Sequence, residues 1–415
     1  MSSGRARHGG VEAGMIPVAE ARERILAQVV PLREVEETPV AVALGRVLAT
    51  DVLAPFDVPP NDNSAVDGYA LNGDDLSPTA PARLRVIADL PAGSVFEGVL
   101  RRGEAIRIMT GAPMPQGADT VIPQELVSRD GEFVVIPARI PRGINVRSQG
   151  EDITKGMLLV EAGTLLRPQE MGLLSSQGLA RIPVTRRPRV ALLSTGDEVA
   201  EPGGERRPGQ IYDSNRISLT GLCGQLGCEV IDLGIARDVK EELRARLLQA
   251  SEVGDVVLTS GGVSVGVYDL VKEVLTEIGG IDFWQVNMTP GRPLAPGKIG
   301  KAYFYGLPGN PVASMVTFLL FVRPALWKLM GRKELEVPRF RATAKCDIGK
   351  KAGRREFKRG ILRFERGAWE VETTGPQGSG ILRSMVLGNC LIILEEGQPP
   401  VKAGEEVWVE PFVPF

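Results

Sequence analysis

The sequence predicts a multidomain α/β protein: a central doubly wound parallel sheet, a β-rich inserted module, an N-terminal helical scaffold and a small C-terminal β-barrel. Three observations carry this. Between Arg189 and Trp327 strand-like apolar runs alternate with helical stretches at the spacing of βαβ units. Within that region Val256 to Asp269, read VVLTSGGVSVGVYD, joins a buried-type strand through a glycine-rich turn to the next helix. On either side, from about Asp51 to Gly150 and from about Leu335 to Phe415, short β-like runs are broken by Pro and Gly.

In chain order, Pro17 to Val30 repeats Val18, Ala21, Ile25, Leu26 and Val29 on one helical face, with Pro17 and Glu20 suited to the first turn. The β-rich module follows, with runs at Leu84 to Ile87, Ala105 to Ile108, Thr120 to Ile122 and Phe133 to Ile136. Glu170 to Leu179 reads as a short helix returning to the scaffold. The α/β region offers strands at Val190 to Ser194, Glu229 to Leu233, Asp255 to Thr259, Ile281 to Val286 and Ala302 to Tyr305. Helices fall at Ser214 to Leu226, Val239 to Ala250, Asp269 to Ile278 and Val312 to Trp327. The last stretch alternates at Phe340 to Ala344, Gly360 to Phe364, Cys390 to Leu394 and Glu406 to Glu410, which fits a small barrel or sandwich.

Composition excludes several function classes. With 49 basic against 51 acidic residues there is no general field for nucleic acid or an anionic membrane. The opening MSSGRARHGG lacks a secretory core and no apolar run reads as long enough to span a bilayer, so the expectation is a cytoplasmic protein. Four scattered cysteines imply neither a disulfide framework nor zinc. Gly262-Val-Ser264-Val-Gly266 matches a nucleophile elbow, but the only histidine is His8, so a Ser-His-Asp triad is not expected.

In a parallel sheet the loops after the strands converge on one edge, and here those loops carry the polar groups. Asp197 and Glu198 follow one strand, Asp238 another and the glycine-rich loop with Ser260, Gly261, Gly262, Ser264 and Asp269 a third. Gly306-Leu-Pro-Gly-Asn-Pro311 follows a fourth, with Asn310 placed to cap a helix whose free amides could face an anion. A carboxylate beside an anion calls for a bridging divalent cation, so the expectation is an anionic ligand with Mg²⁺. In the module, Asp62 and Asp67 within PPNDNSAVDGY either serve a ligand or cap turns, and Thr110-Gly111 either meets an anion or makes a turn. Arg354, Arg355, Lys358 and Arg359 form a basic cluster near the C-terminal β region.

The motifs PPNDNSAVDGYA, RIMTGAPMPQGADTVIPQE, NVRSQGED, STGDE, GQIYDSN, LGIARD, TSGGVSVGVYD and GLPGNPV, in this order, resemble the molybdopterin molybdenumtransferase family, which includes MoeA and the E domain of gephyrin. The resemblance covers at least residues 15 to 330. It implies a homodimer of four-domain subunits: a scaffold of residues 15–50 and 150–185, a module of 51–149, a MogA-like molybdopterin-binding domain of 186–332 and a barrel of 333–415. The implied cleft lies between the α/β domain of one subunit and the module of the other. The implied reaction takes adenylylated molybdopterin and molybdate and yields molybdenum cofactor and AMP, with Mg²⁺ required. The adenylyltransferase of the preceding step and recipient molybdoenzymes are the implied partners. Carried over by motif, Asp238 and Asp269 handle Mg²⁺ and adenylate, while Ser260, Gly261, Gly262 and Ser264 hold phosphate or molybdate with Pro308, Gly309, Asn310 and Pro311. Glu198 and Asp152 line the cleft, Asp62 and Thr110 arrive from the partner subunit, and Arg292 and Arg354 supply cations.

The chain departs from the family pattern at Thr289 and Arg292, where Lys-Pro-Gly-Lys-Pro is frequent, at Ala313, where Ser is frequent, and at Asn61, where an aromatic is usual. Arg is not equivalent to Lys for an oxyanion. A tungstate-preferring homologue, an adenylyltransferase and a non-catalytic dimeric scaffold are the competing functions.

Overall fold

The computed structural model describes residues 15–262 and 270–413, which form two compact units. One comprises the described residues up to Ala49, Gly163–Arg167 and those from Arg181 onward; the other comprises Thr50–Ala162 and Pro168–Ala180.

The larger unit is built on a sheet whose strands run in the order Glu229–Ala236, Arg189–Thr195, Val256–Ser260, Ala302–Leu307, Pro293–Ile299 and Gly279–Ile281. The first four are parallel, and the last two are added antiparallel as a hairpin edge. Pro293–Ile299 is a strand that the sequence does not predict, since two prolines and a glycine in seven residues argue against one. The single strand expected over Ile281 to Val286 is instead two short pieces, Gly279–Ile281 and Trp284–Gln285.

Side chains alternate across the sheet and both faces are covered. Ala191, Leu193 and Val257 pack with Leu243, Leu247, Val271 and Val274 from the helices Lys240–Val253 and Leu270–Ile278. Val190, Leu192, Val256 and Leu258 pack on the other side with Leu219 and Cys223 of Ser214–Gln225, with Val18, Ala21 and Ile25 of Val18–Gln28, and with the long helix beginning at Pro311. Burial pushes the Cys223 thiol up and takes that of Cys228 to about 12, as fits core thiols.

The long helix runs from Pro311 to Leu329, with a wider π turn over Phe318–Val322 between α-helical ends. Among the described residues it is the helix long and apolar enough to cross a membrane, so the expectation of no such run is corrected; 89% of its apolar window is buried inside the fold.

The C-terminal strands Phe340–Ala344, Arg355–Glu365, Ala368–Thr373, Cys390–Leu394 and Glu406–Pro411 close into a barrel, because Arg355–Glu365 pairs with both Ala368–Thr373 and Cys390–Leu394. Met288–Thr289 adds to its outside by pairing with Arg355 and Glu356. The barrel is pinned to the long helix by Glu410. That side chain is 3% exposed and accepts from Arg323 Nη2 at 2.7 Å and from Arg339 Nε at 2.8 Å, while Arg323 Nη1 donates to the Phe412 carbonyl at 3.0 Å.

In the smaller unit six strands follow the order Thr120–Pro123, Gly68–Leu71, Glu104–Ile108, Ala82–Leu90, Phe133–Ile136 and Ser128–Asp130. Tyr69 and Leu71 enter one apolar cluster and Ala70 the other, so this sheet too is covered on both sides.

Removing one partner from a buried, hydrogen-bonded charge pair costs about 3–5 kcal/mol, whereas an exposed helical pair contributes about 0.3–0.5 kcal/mol. Glu410→Ala should therefore lower the denaturant midpoint of the larger unit strongly, while Glu20→Ala, which breaks the exposed Arg24 pair, should barely move it. Urea titration followed by circular dichroism compares the two.

Candidate active-site cleft

The parallel register ends with Ser194, Ser260 and Leu307 side by side, so three loops leave from one edge. Between them lies a cavity of about 330 Å³, lined at its polar end by Ser194, Thr195, Asn215, Ser260 and Gly261. Glu198, Gly309, Asn310 and Pro311 also line it, as do Val199, Ile211 and Tyr212 on an apolar lip.

Gly261 is required here. Its φ is +94°, and a Cβ would sit 2.8 Å from the Thr195 carbonyl oxygen, while its amide donates to the Leu307 carbonyl at 3.1 Å. Gly262, at φ +68°, has no room for a Cβ against Val271. A Cβ at Gly309 would sit 3.8 Å from Gly261 Cα, so the two turns run close to each other. Asn215, which sequence reading did not single out, joins them: its Nδ2 donates to Ser260 Oγ and to the Gly309 carbonyl, each at 2.7 Å. The hydroxyls of Ser194 and Thr195 are buried and have no hydrogen-bond partner among the described residues. Donors without acceptors at the edge of a sheet suit an anionic ligand.

The loop from Asp197 to Asp213 is held by Arg216. This guanidinium is 3% exposed and donates to Asp213, to Glu201 through Nη2 at 2.5 and 2.6 Å, and to Asp232. Burial opposes its charge, but the three carboxylates outweigh burial and hold its pKa above the ordinary value. Asp213 also caps the helix Ser214–Gln225 by accepting the Arg216 amide at 3.0 Å. One arginine thus fixes the cleft wall and the start of the helix that carries Asn215.

Asp238 lies close to Asp197 and Glu198. Burial raises its pKa above the ordinary carboxylate value; the Asp197 backbone offsets part of this, and the charges of Asp197 and Glu198 add to it. Its own amide reaches Asp197 Oδ1 at 3.3 Å. Among the described residues no group of three or more acids, cysteines or histidines could hold a metal by itself. Asp269 and Ser264, expected beside Asp238 and Ser260, lie outside the described residues.

The turn before the long helix differs from expectation. Pro308 is buried, Pro311 occupies the first helical position and Asn310 the cap, but the Asn310 side chain makes no capping bond. The Val312 amide donates to the Ser379 carbonyl at 3.1 Å, so a loop of the barrel, not a ligand, takes it. Gly380 of that loop lines the cavity. The cation reaching this loop is Arg359: 1% exposed, it donates through Nε to Ser384 Oγ at 2.9 Å and through Nη2 to the Gly378 carbonyl at 3.1 Å. Burial alone lowers its pKa to about 10. Arg354 and Arg292 do not line the cavity; the Arg354 carbonyl accepts from Lys350 Nζ, and Arg292 Nη2 contacts Met15 Sδ at 3.7 Å. Alternation along Arg355–Glu365 sends Phe357 and Arg359 to one side and Lys358 to the other, but it leaves Arg355 on the side of Arg359.

In the smaller unit the two irregular stretches are bonded together. The Gly111 amide donates to Ser64, the Met114 amide to the Asp62 carbonyl, and Asp62 Oδ1 accepts the Gln149 amide at 2.7 Å. Thr110 donates both amide and hydroxyl to Asp67 at 2.7 Å, which holds that carboxyl below its ordinary pKa. The Asp152 amide donates to Val58. Asp62, Thr110 and the Gln149–Asp152 turn therefore share one region of the module.

Comparison with known proteins agrees along the whole chain. Residues 16–178 match the MoeA N-terminal region (domain I and II), residues 191–328 the probable molybdopterin binding domain, and residues 341–412 the MoeA C-terminal region (domain IV). The chain is 40% identical to the molybdopterin molybdenumtransferase of Haemophilus influenzae over 96% of this chain and 99% of that one. It is 35% identical to molybdopterin molybdenumtransferase 2 of Mycobacterium tuberculosis over 94% and 98%. The crystal structure of the molybdopterin biosynthesis MoeA protein from Pyrococcus horikoshii OT3 superposes with a TM-score of 0.84 at 33% identity, covering 96% of this chain and all of that one.

A carboxyl whose pKa is raised on folding binds more protons in the native state than in the unfolded one. Its charge costs nothing below the unfolded value of about 4, and stability is lost as pH rises through the folded value. In Mg²⁺-free buffer Asp238→Asn should therefore flatten the decline in unfolding midpoint above about pH 4 and leave the protein at least as stable at neutral pH. Denaturant midpoints measured against pH for both proteins check this.

Proposed function

The chain belongs to the molybdopterin molybdenumtransferase (MoeA) family, and on that premise we propose that it inserts molybdenum into adenylylated molybdopterin, taking molybdate and yielding molybdenum cofactor and AMP. The observation that carries the reading is the cavity of about 330 Å³ with buried, unpartnered hydroxyls at one end and an apolar lip at the other. A polar end for a phosphate and an apolar lip for a flat ring suit a nucleotide or pterin, and the volume falls within the roughly 300–1,000 Å³ of small-molecule sites.

Mg²⁺ is ordinarily held by one or two carboxylates and completed by water and substrate phosphate. The crowded charges of Asp197, Glu198 and Asp238 favour such a cation, and Asp269 is the second carboxylate that the family pattern assigns to it. Bound there, Mg²⁺ would neutralise charge on the adenylate. Arg359 supports the molybdate side: a buried guanidinium without a carboxylate partner among the described residues strengthens the potential for an oxyanion near Gly380. The protein acts as a cytoplasmic homodimer in which Asp62, Thr110 and Asp152 of a second protomer complete the cleft.

Incubation with adenylylated molybdopterin, molybdate and Mg²⁺ tests the proposal. AMP release should require both molybdate and Mg²⁺. Asp238→Asn should slow release by about a hundredfold. Arg359→Met should raise the molybdate concentration needed for half-maximal release while tight adenylate binding survives. Tight adenylate binding without molybdate-dependent release overturns the assignment, and a parallel tungstate series reads the effect of Thr289 and Arg292.

A further inference from the structure

Asn215 is 9% exposed, and its two donated bonds end on chemically different groups, the Ser260 hydroxyl and the Gly309 carbonyl. A carbonyl oxygen only accepts, so the amide nitrogen must face Gly309. The same nitrogen then donates to Ser260 Oγ, which is left with its own proton to give. Among the described residues no group accepts that proton, and Ser260 lines the cavity. Beside it in the parallel register stands Ser194, whose buried hydroxyl, like that of Thr195, has no partner among the described residues.

We infer that Asn215 is a positioning residue that turns the Ser260 hydroxyl into a donor aimed at the anionic group of the ligand. The argument rests on the adenylate reading above and goes further by naming the group that sets the donor's direction. The two bonds tie the Gly309 turn to the Ser260 end of its strand, and the second of them does so through a hydroxyl that can still donate. Accepting from Asn215 turns the serine proton away from that amide and leaves it for a group in the cavity that Ser260 lines. Because the hydroxyl is oriented before the ligand arrives, no reorganisation is needed on binding.

The test is a double-mutant cycle on binding of AMP with Mg²⁺, measured by isothermal titration calorimetry on the full chain. Asn215→Ala and Ser260→Ala should each weaken AMP binding by about tenfold, the size expected for one hydrogen bond to a charged group. In the Ser260→Ala background Asn215→Ala should add little, since the residue it acts through is gone. Equal penalties in both backgrounds would mean that Asn215 only braces the Gly309 turn, and the inference falls while the adenylate reading stands. If the unaltered protein does not bind AMP with Mg²⁺, the adenylate reading fails and the inference falls with it. Should Asn215→Ala unfold early, Asn215→Ser, too short to reach Ser260, closes the same cycle.

Discussion

Val256–Ser260 has a parallel neighbour on each side, and that pairing forces three chain reversals onto one sheet edge. Everything chemical in the larger unit follows from it. The loops must turn sharply without colliding, which is why Gly261 and Gly309 meet where any Cβ at Gly261 would strike Thr195. They must also keep a fixed separation, which Asn215 provides from the first turn of a neighbouring helix. The strand itself, apolar on both faces, is held by burial, so the polar edge is free to be selected for chemistry.

Electrostatics in this protein are local by necessity, because the net charge is only −2. Arg216 gathers three carboxylates and so carries negative charge into the cleft wall without scattering it. Asp197, Glu198 and Asp238 are left crowded, and the charges of the first two add to the raised pKa of the third. Arg359 makes the opposite arrangement on the barrel side, a positive charge withdrawn from water and met only by neutral oxygens. Opposite unbalanced charges at two positions around one cleft are costly in a resting protein and useful when the ligands are a cation and an oxyanion.

Much of the architecture was legible because its signals are periodic. Val190–Ser194, Glu229 onward and the helix after Asp213 read directly from apolar spacing and a capping acid. Pro293–Ile299 was not legible, since two prolines and a glycine in seven residues argue against a strand, yet it pairs with Ala302–Leu307 on one side and with Gly279–Ile281 and Trp284–Gln285 on the other. At the site, Glu198, Ser260, Gly261 and Gly309 to Pro311 were readable as loop residues following strands. Asn215 was not, because an asparagine one residue inside a helix looks like helix start chemistry, and its role depends on two segments 45 and 94 positions away. Arg359 could be told from Lys358 by strand alternation but not from Arg355, so it was not legible in a cluster of basic residues.

The long helix has an implication for how this family can vary in length. A π turn admits one residue more than the α pitch, so everything beyond Phe318–Val322 is rotated by about 100° from where an unbroken α-helix would set it. Arg323 is the first residue past that turn and reaches Glu410 from its rotated position, while Pro311 at the other end borders the cleft. An extra residue in the middle of a helix is thus the phase adjustment that lets one rod serve the cleft at one end and the barrel at the other. Deleting one residue within Phe318–Val322 would turn Arg323 away from Glu410 by the same angle and so release the barrel anchor.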